Sequence, residues 1–150
     1  MNNFTYSSEG IALTTSFEGL RLTAYFDIAG TPTIGYGHTG PDVHPGMSIN
    51  MQEAKGLLLK DIQWAVEAVN RLVTVEINQN QFDALVDFAF NVGSGHFEES
   101  TLLRLINQGQ ITEAASQFDL WRYVGNTISA AIERRRAAEQ EHFLKPMLTN

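Results

Sequence analysis

Apolar residues along this chain recur mostly at helical spacing, and one early stretch departs from it. Ala54, Leu57, Leu58, Ile62, Ala65, Val66, Val69 and Val73 keep the three- and four-residue intervals that put side chains on one helix face. Asn50 followed by Glu53 has the form of a capping box and marks where that helix begins. At about 20 residues it would extend roughly 30 Å. Asn78 and Gln81 repeat the capping pattern ahead of "QFDALVDFAFN", which Gly93 closes. There Phe82, Leu85, Val86, Phe88, Ala89 and Phe90 cover more than one stripe, which predicts a helix buried on most sides. Shorter helices are predicted at "STLLRLIN", "TEAASQFDLW" and "TISAAIERRRAAEQEHFL". Near the start, Ser8 is placed to cap a helix through "EGIALTTSF", and Gly19 to end it in the left-handed conformation. From Thr23 to Tyr36 the pattern turns β-branched and aromatic around "IAGTP", which predicts a hairpin with Pro32 at a strand start or edge. The fold class is therefore α+β. A small N-terminal lobe with a β-hairpin spans about residues 1–50, a connecting helix about 50–73, and a helical lobe about 74–150.

Composition narrows the partners. With 43% hydrophobic and 18% charged residues in 150, the chain reads as an ordinary globular protein of one domain. It has no cysteine, which removes disulfides and thiolate metal sites. The net charge of −7 is uneven: the first 110 residues hold 5 basic and 12 acidic side chains, the remaining 40 hold five of each. The only basic run is Arg134–Arg136, and Glu133, Glu139 and Glu141 balance it, so it reads as a solvated helix face. Nucleic acid is not an expected partner. The N-terminus has neither a basic n-region nor a continuous apolar h-region, and no stretch reaches membrane-span length. A monomer made in the cytoplasm, without stable membrane insertion, is expected.

The hairpin stretch carries the candidate chemistry. Glu18 falls at the C-terminal end of the first helix, where the negative end of the helix dipole disfavours a carboxylate. Asp27, beside glycine and threonine in the hairpin, is expected to be ionised. A neutral carboxylic acid and a carboxylate in different surroundings are what glycoside hydrolysis requires. Thr33 lies across the turn, where its hydroxyl and Asp27 are placed to hold a water between them. "GYGHTG" lacks the lysine of a phosphate loop, and His38 and His44 have no third ligand nearby, so neither metal nor cofactor is expected.

The motif extends further. Glu18, eight residues, Asp27, five residues, Thr33, then Ile34-Gly35-Tyr36-Gly37-His38 resembles the signature of the phage-type lysozymes, the endolysin muramidases of glycoside hydrolase family 24. "MSINMQEAKGLLLKDI", "NQFDALVDFAFNVGSG", "STLLRLINQG" and "ERRRAAE" resemble further stretches of that family in the same order. The resemblance implies a lysozyme-like fold with a cleft between two lobes. It also implies cleavage of the β-1,4 bond between N-acetylmuramic acid and N-acetylglucosamine in peptidoglycan, with inversion and without a cofactor. By position it makes Glu18 the general acid, with Asp27 and Thr33 placing the attacking water. Thr39, Phe90, Asn91 and Gln117 then line the sugar-binding region, and His38 pairs with Asp61. Phe90 also reads as core, and one of Arg135 or Arg136 as a group that orients Glu18. Without an export signal, lysis of a bacterium from within would need a separate holin before the enzyme meets peptidoglycan in the periplasm. Two other readings stay open here. One is a lytic transglycosylase using a lone glutamate, against which Asp27 and Thr33 argue; the other is a catalytically silent wall-binding module.

Overall fold

The computed structural model describes residues 1–147. The chain forms two compact units, one from Thr14–Trp64 and one from Met1–Leu13 together with the chain from Ala65 onward.

The first unit is built on a small antiparallel sheet. Helix α1 (Ser8–Phe17) runs into it, and strands β1 (Arg21–Phe26), β2 (Pro32–Gly35) and β3 (His38–Thr39) follow in sheet order. Tyr25 pairs with Thr33 and Phe26 with Pro32, and Thr33 pairs in turn with Thr39. A bulge lies between Arg21 and Tyr25. On the other edge of β1, the Ala24 amide donates to Met47 O and the Ile49 amide to Leu22 O, both at 2.9 Å. Pro32 opens β2, where its missing N–H costs no ladder bond. Ile34, Tyr36, Val43, Ala54, Leu58 and Ile62 are buried.

Helix α2 (Met51–Leu72) begins as its sequence predicts. The Glu53 amide donates to Asn50 Oδ1 at 2.7 Å, and the Asn50 amide to Glu53 Oε1 at 3.1 Å. The start of α1 differs. The Gly10 amide donates to Ser7 Oγ, so Ser7 rather than Ser8 is the capping residue, and the Ser7 hydroxyl also bonds the Asp83 carboxylate. Gly19 is not left-handed; the last ladder bond of α1 runs from the Glu18 amide to Thr14 O.

The second unit holds α3 (Gln79–Val92), α4 (Ser94–Glu98), α5 (Thr101–Asn107), α6 (Ile111–Ala115) and α7 (Ala130–Leu144). The predicted capping box of Asn78 and Gln81 is formed at the start of α3. Nine of its residues, Asn80 and Phe82 through Ala89, are buried, and Gln81 between them is half-buried. Phe88 meets Phe97, Phe118 and Trp121 edge-on, at centroid distances of 6.3, 5.6 and 5.4 Å. Two predictions are corrected here. "TEAASQFDLW" is not one helix, because α6 stops at Ala115 and a 3-10 turn occupies Phe118–Leu120. Nor does "TISAAIERRRAAEQEHFL" start helical: Tyr123–Val124 (β4) and Thr127–Ile128 (β5) form a second hairpin, and Ser129 caps α7 by accepting from the Ile132 amide.

Candidate active site

Glu18, Asp27, Thr33, His38, Thr39 and Asp61 all belong to the sheet unit. The bond from the Glu18 amide to Thr14 O makes Glu18 the continuation of α1, and its side chain is half-buried. Its carboxyl lies against the β2–β3 turn. A Cβ built on Gly37, which has φ +78°, would sit 4.0 Å from Glu18 Oε2. That is ordinary contact distance, so what holds glycine at position 37 is the backbone conformation, which L side chains rarely adopt.

Asp27 closes the hairpin by its own hydrogen bonds. Its Oδ1 accepts the Thr31 amide at 2.8 Å, its carbonyl accepts the Gly30 amide at 2.9 Å, and its amide donates to Thr31 O at 3.0 Å. Side-chain acceptance two to four residues on is the usual work of aspartate in a turn. Here it also fixes where the second carboxylate oxygen stands. Thr33 is buried, and its hydroxyl donates to Thr31 O at 2.9 Å. A hydroxyl has one proton, so Thr33 Oγ1 is left as an acceptor toward any water beside it.

His38 carries two carboxylate partners. Its Nδ1 lies 2.8 Å from Asp61 Oδ2, as the resemblance implies, and its Nε2 lies 2.9 Å from Asp42 Oδ2. Sequence reasoning missed Asp42, although it stands four residues from His38 in the loop "HTGPD". Gly40 makes that return possible: a Cβ there would come within 2.7 Å of Asp42 Oδ1. Burial alone would lower the His38 pKa; hydrogen bonds and charge from Asp61 and Asp42 outweigh it and raise it above the ordinary 6.5. The hydrogen bond from His38 holds the Asp42 carboxyl below its ordinary 3.8.

The other predicted residues lie in the helical unit. Phe90 is half-buried and Asn91 exposed near the end of α3, while Gln117 sits in the turn between α6 and the 3-10 segment. The reading of Arg134–Arg136 as a solvated face is corrected for two of the three. Arg135 forks onto Asp87 through Nε and Nη2, both at 2.9 Å, with both side chains buried. Arg136 is fully buried as well, with Nε 2.7 Å from Glu139 Oε1 and Nη2 donating to Asn91 Oδ1 at 2.8 Å. Burial pushes the Glu139 carboxyl well above its usual range, and the hydrogen bond and charge of Asp87 add to that. No local pattern marks these pairs, because Asp87 and Arg135 are 48 positions apart.

Known proteins resemble this chain in sequence and in fold. Residues 15–139 match the family model described as phage lysozyme. The chain is 45% identical over 139 residues to the endolysin of Bacillus phage PZA, covering 91% of this chain and 54% of that one. It is 43% identical over 134 residues to the endolysin of Salmonella phage P22, covering 87% and 92%. Among solved structures it is similar to the muramidase domain of SpmX from Asticaccaulis excentricus. That match has a TM-score of 0.88 and 42% identity, and covers 96% of this chain and all of the other. The chain spans about half the length of the Bacillus phage relatives it matches.

Proposed function

We propose that this chain, which belongs to the phage lysozyme family, is a muramidase. Its reaction is hydrolysis of the β-1,4 bond between N-acetylmuramic acid and N-acetylglucosamine in peptidoglycan. The observation that carries the reading is the acceptor arrangement at the hairpin. The Thr33 hydroxyl donates its hydrogen bond to Thr31 O, and Asp27 Oδ1 accepts the Thr31 amide. A water placed between them donates one proton to Asp27 Oδ2 and the other to Thr33 Oγ1, which points its lone pair outward.

Glu18, in its neutral form, protonates the glycosidic oxygen as the bond to the anomeric carbon breaks. The water oxygen bonds that carbon from the opposite face, and its proton passes to Asp27. This is the inverting course. Solvent then returns the proton from Asp27 to Glu18. By the same reading Thr39, Phe90, Asn91 and Gln117 contact the glycan. Its place of action is the cell wall. No described helix is long and apolar enough to cross a membrane, and the proposal assigns membrane passage to a separate holin. Lysis on expression without any holin would overturn that assignment.

Digestion of purified peptidoglycan tests the central claim. Wild type should release reducing muropeptides that take up solvent oxygen-18 and appear first as the α-anomer by NMR. Glu18→Gln should lose about 10²-fold or more in rate at an unchanged melting temperature. Anhydro products, or equal digestion by Glu18→Gln, would sink the proposal.

A further inference from the structure

A cavity of about 600 Å³ opens on the helical unit, between the end of α7 and Leu13 of α1. That volume lies within the range of small-molecule sites, roughly 300–1,000 Å³. The lining residues Ala138, Glu141, His142 and Lys145 recur at three- and four-residue intervals, so one face of α7 and its cap forms the wall. Leu13 and Leu144 add apolar surface. Glu18, Asp27 and Thr33 belong to the other unit, and the proposed hydrolysis uses nothing in this cavity.

The polar groups here are poorly matched to one another. Glu141 reads in the sequence as balancing the arginine run, yet Arg135 and Arg136 pair with Asp87 and Glu139 instead. The Glu141 side chain is exposed and has no ion-pair partner among the described residues. Lys145 Nζ lies 3.9 Å from Glu9 Oε2 with both side chains more than half exposed, a pairing that holds little. His142 Nε2 is sealed from solvent 3.7 Å from Asp83 Oδ2, too far for a hydrogen bond.

Asp83 sets what the imidazole offers. Its carboxylate is met by donors, the Ser7 amide and hydroxyl and the Gln79 side-chain amide. A buried carboxylate beside Nε2 favours the ring tautomer that carries its hydrogen there. Nδ1, on the ring edge left to the cavity, is then an acceptor. Three carboxylates, Glu9 of α1, Asp83 of α3 and Glu141 of α7, stand here against the single ammonium of Lys145. The site is therefore acidic while His142 is neutral. It offers a free carboxylate and a nitrogen lone pair beside apolar carbons. A primary ammonium needs such acceptors for its hydrogens, and the aliphatic chain behind it needs such carbons.

We infer that this cavity binds an aliphatic chain ending in a primary ammonium group. Glu141 is its counter-ion, His142 Nδ1 a second acceptor, and Leu13, Ala138 and Leu144 lie against the methylenes. Free diamines and the diamino acid of a wall peptide stem both present that chemistry. Calorimetric titration with cadaverine tests it, with glutarate as the dicarboxylate of matched length. NMR follows the His142 ring, whose Cε1–H signal His142→Gln identifies among the four histidines. Cadaverine should shift that signal saturably, and glutarate should not bind. Glu141→Gln, melting with wild type, should weaken cadaverine about threefold or more, and Lys145→Gln should tighten it by removing a like charge. Acidification from about pH 8 to about pH 5.5 should weaken binding as His142 gains a proton and repels the ammonium, and His142→Gln should lose that dependence. The tripeptide L-Ala-γ-D-Glu-meso-diaminopimelate separates the sources. Binding at least as tight as that of cadaverine assigns the site to the wall, and binding of cadaverine alone assigns it to free diamines. An unmoved His142 ring, equal binding of glutarate, or unchanged affinity in Glu141→Gln would overturn the site.

Discussion

His38 stands between two carboxylates, and that geometry sets a pH window. The folded pKa of His38 is raised above 6.5, so its contribution to stability is complete below that value. It is lost as pH rises through the raised folded value. The folded pKa of Asp42 is depressed below 3.8, so its contribution is present above that value and lost as pH falls through the depressed one. Between these limits the clamp is intact. Asp42→Asn and Asp61→Asn should each lower the His38 midpoint in an NMR titration, and the double variant should lower it further. An unmoved midpoint in Asp42→Asn would mean the second carboxylate does not engage in solution. The buried arginine pairs give a contrasting residue-scale test. Arg135→Ala removes the two-point partner of the buried Asp87 carboxylate and should cost about 3–5 kcal/mol. Arg134→Ala, at an exposed neighbour, should stay within about 0.5 kcal/mol. Urea unfolding of the two variants decides it; comparable losses would contradict the burial described for Arg135.

At the scale of elements, what could be read in advance was what the chain encodes within a few residues. The capping boxes at Asn50 and Asn78 and the breadth of the apolar surface on α3 are written in short intervals, and each formed. Glu18, Asp27 and Thr33 were legible for the same reason, since they fall within one short stretch and one hairpin turn. The β4–β5 hairpin was missed because two-residue strands carry no period, although Gly125-Asn126 between Val124 and Thr127 is a two-residue turn signal. The burial of Arg135 and Arg136 was illegible for another reason. A basic run looks the same in sequence whether it meets water or a distant aspartate. The Asn50 box gives a prediction at this scale. Asn50→Ala removes the acceptor for the Glu53 amide and should cost about 1 kcal/mol. In a chain of this size that corresponds to a fall of about 2–4 °C in melting temperature by circular dichroism. A variant melting with wild type would show that α2 is held by its apolar face alone.

For the whole molecule the dominant quantity is its net charge of −7, all of it set in the first 110 residues. The proposed substrate is an anionic polymer, so enzyme and wall repel one another at long range. The helical C-terminal stretch offers no compensation, since two of its three consecutive arginines are buried against Asp87 and Glu139. Repulsion of this kind acts on encounter more than on chemistry, and salt weakens it as the screening length shortens from about 30 Å at 0.01 M to about 8 Å at 0.15 M. Raising sodium chloride across that range should therefore increase the initial rate of muropeptide release at low substrate, by lowering KM with kcat little changed. A basic wall-degrading enzyme would behave in the opposite way, losing rate as its attraction is screened. Digestion of peptidoglycan whose stem-peptide carboxylates have been amidated, which keeps the scissile bond and removes the negative charge, should be flat over the same salt series and serves as the internal control. A steady fall in peptidoglycan digestion with salt, against a flat control, would mean that a local basic surface governs encounter instead of the net charge.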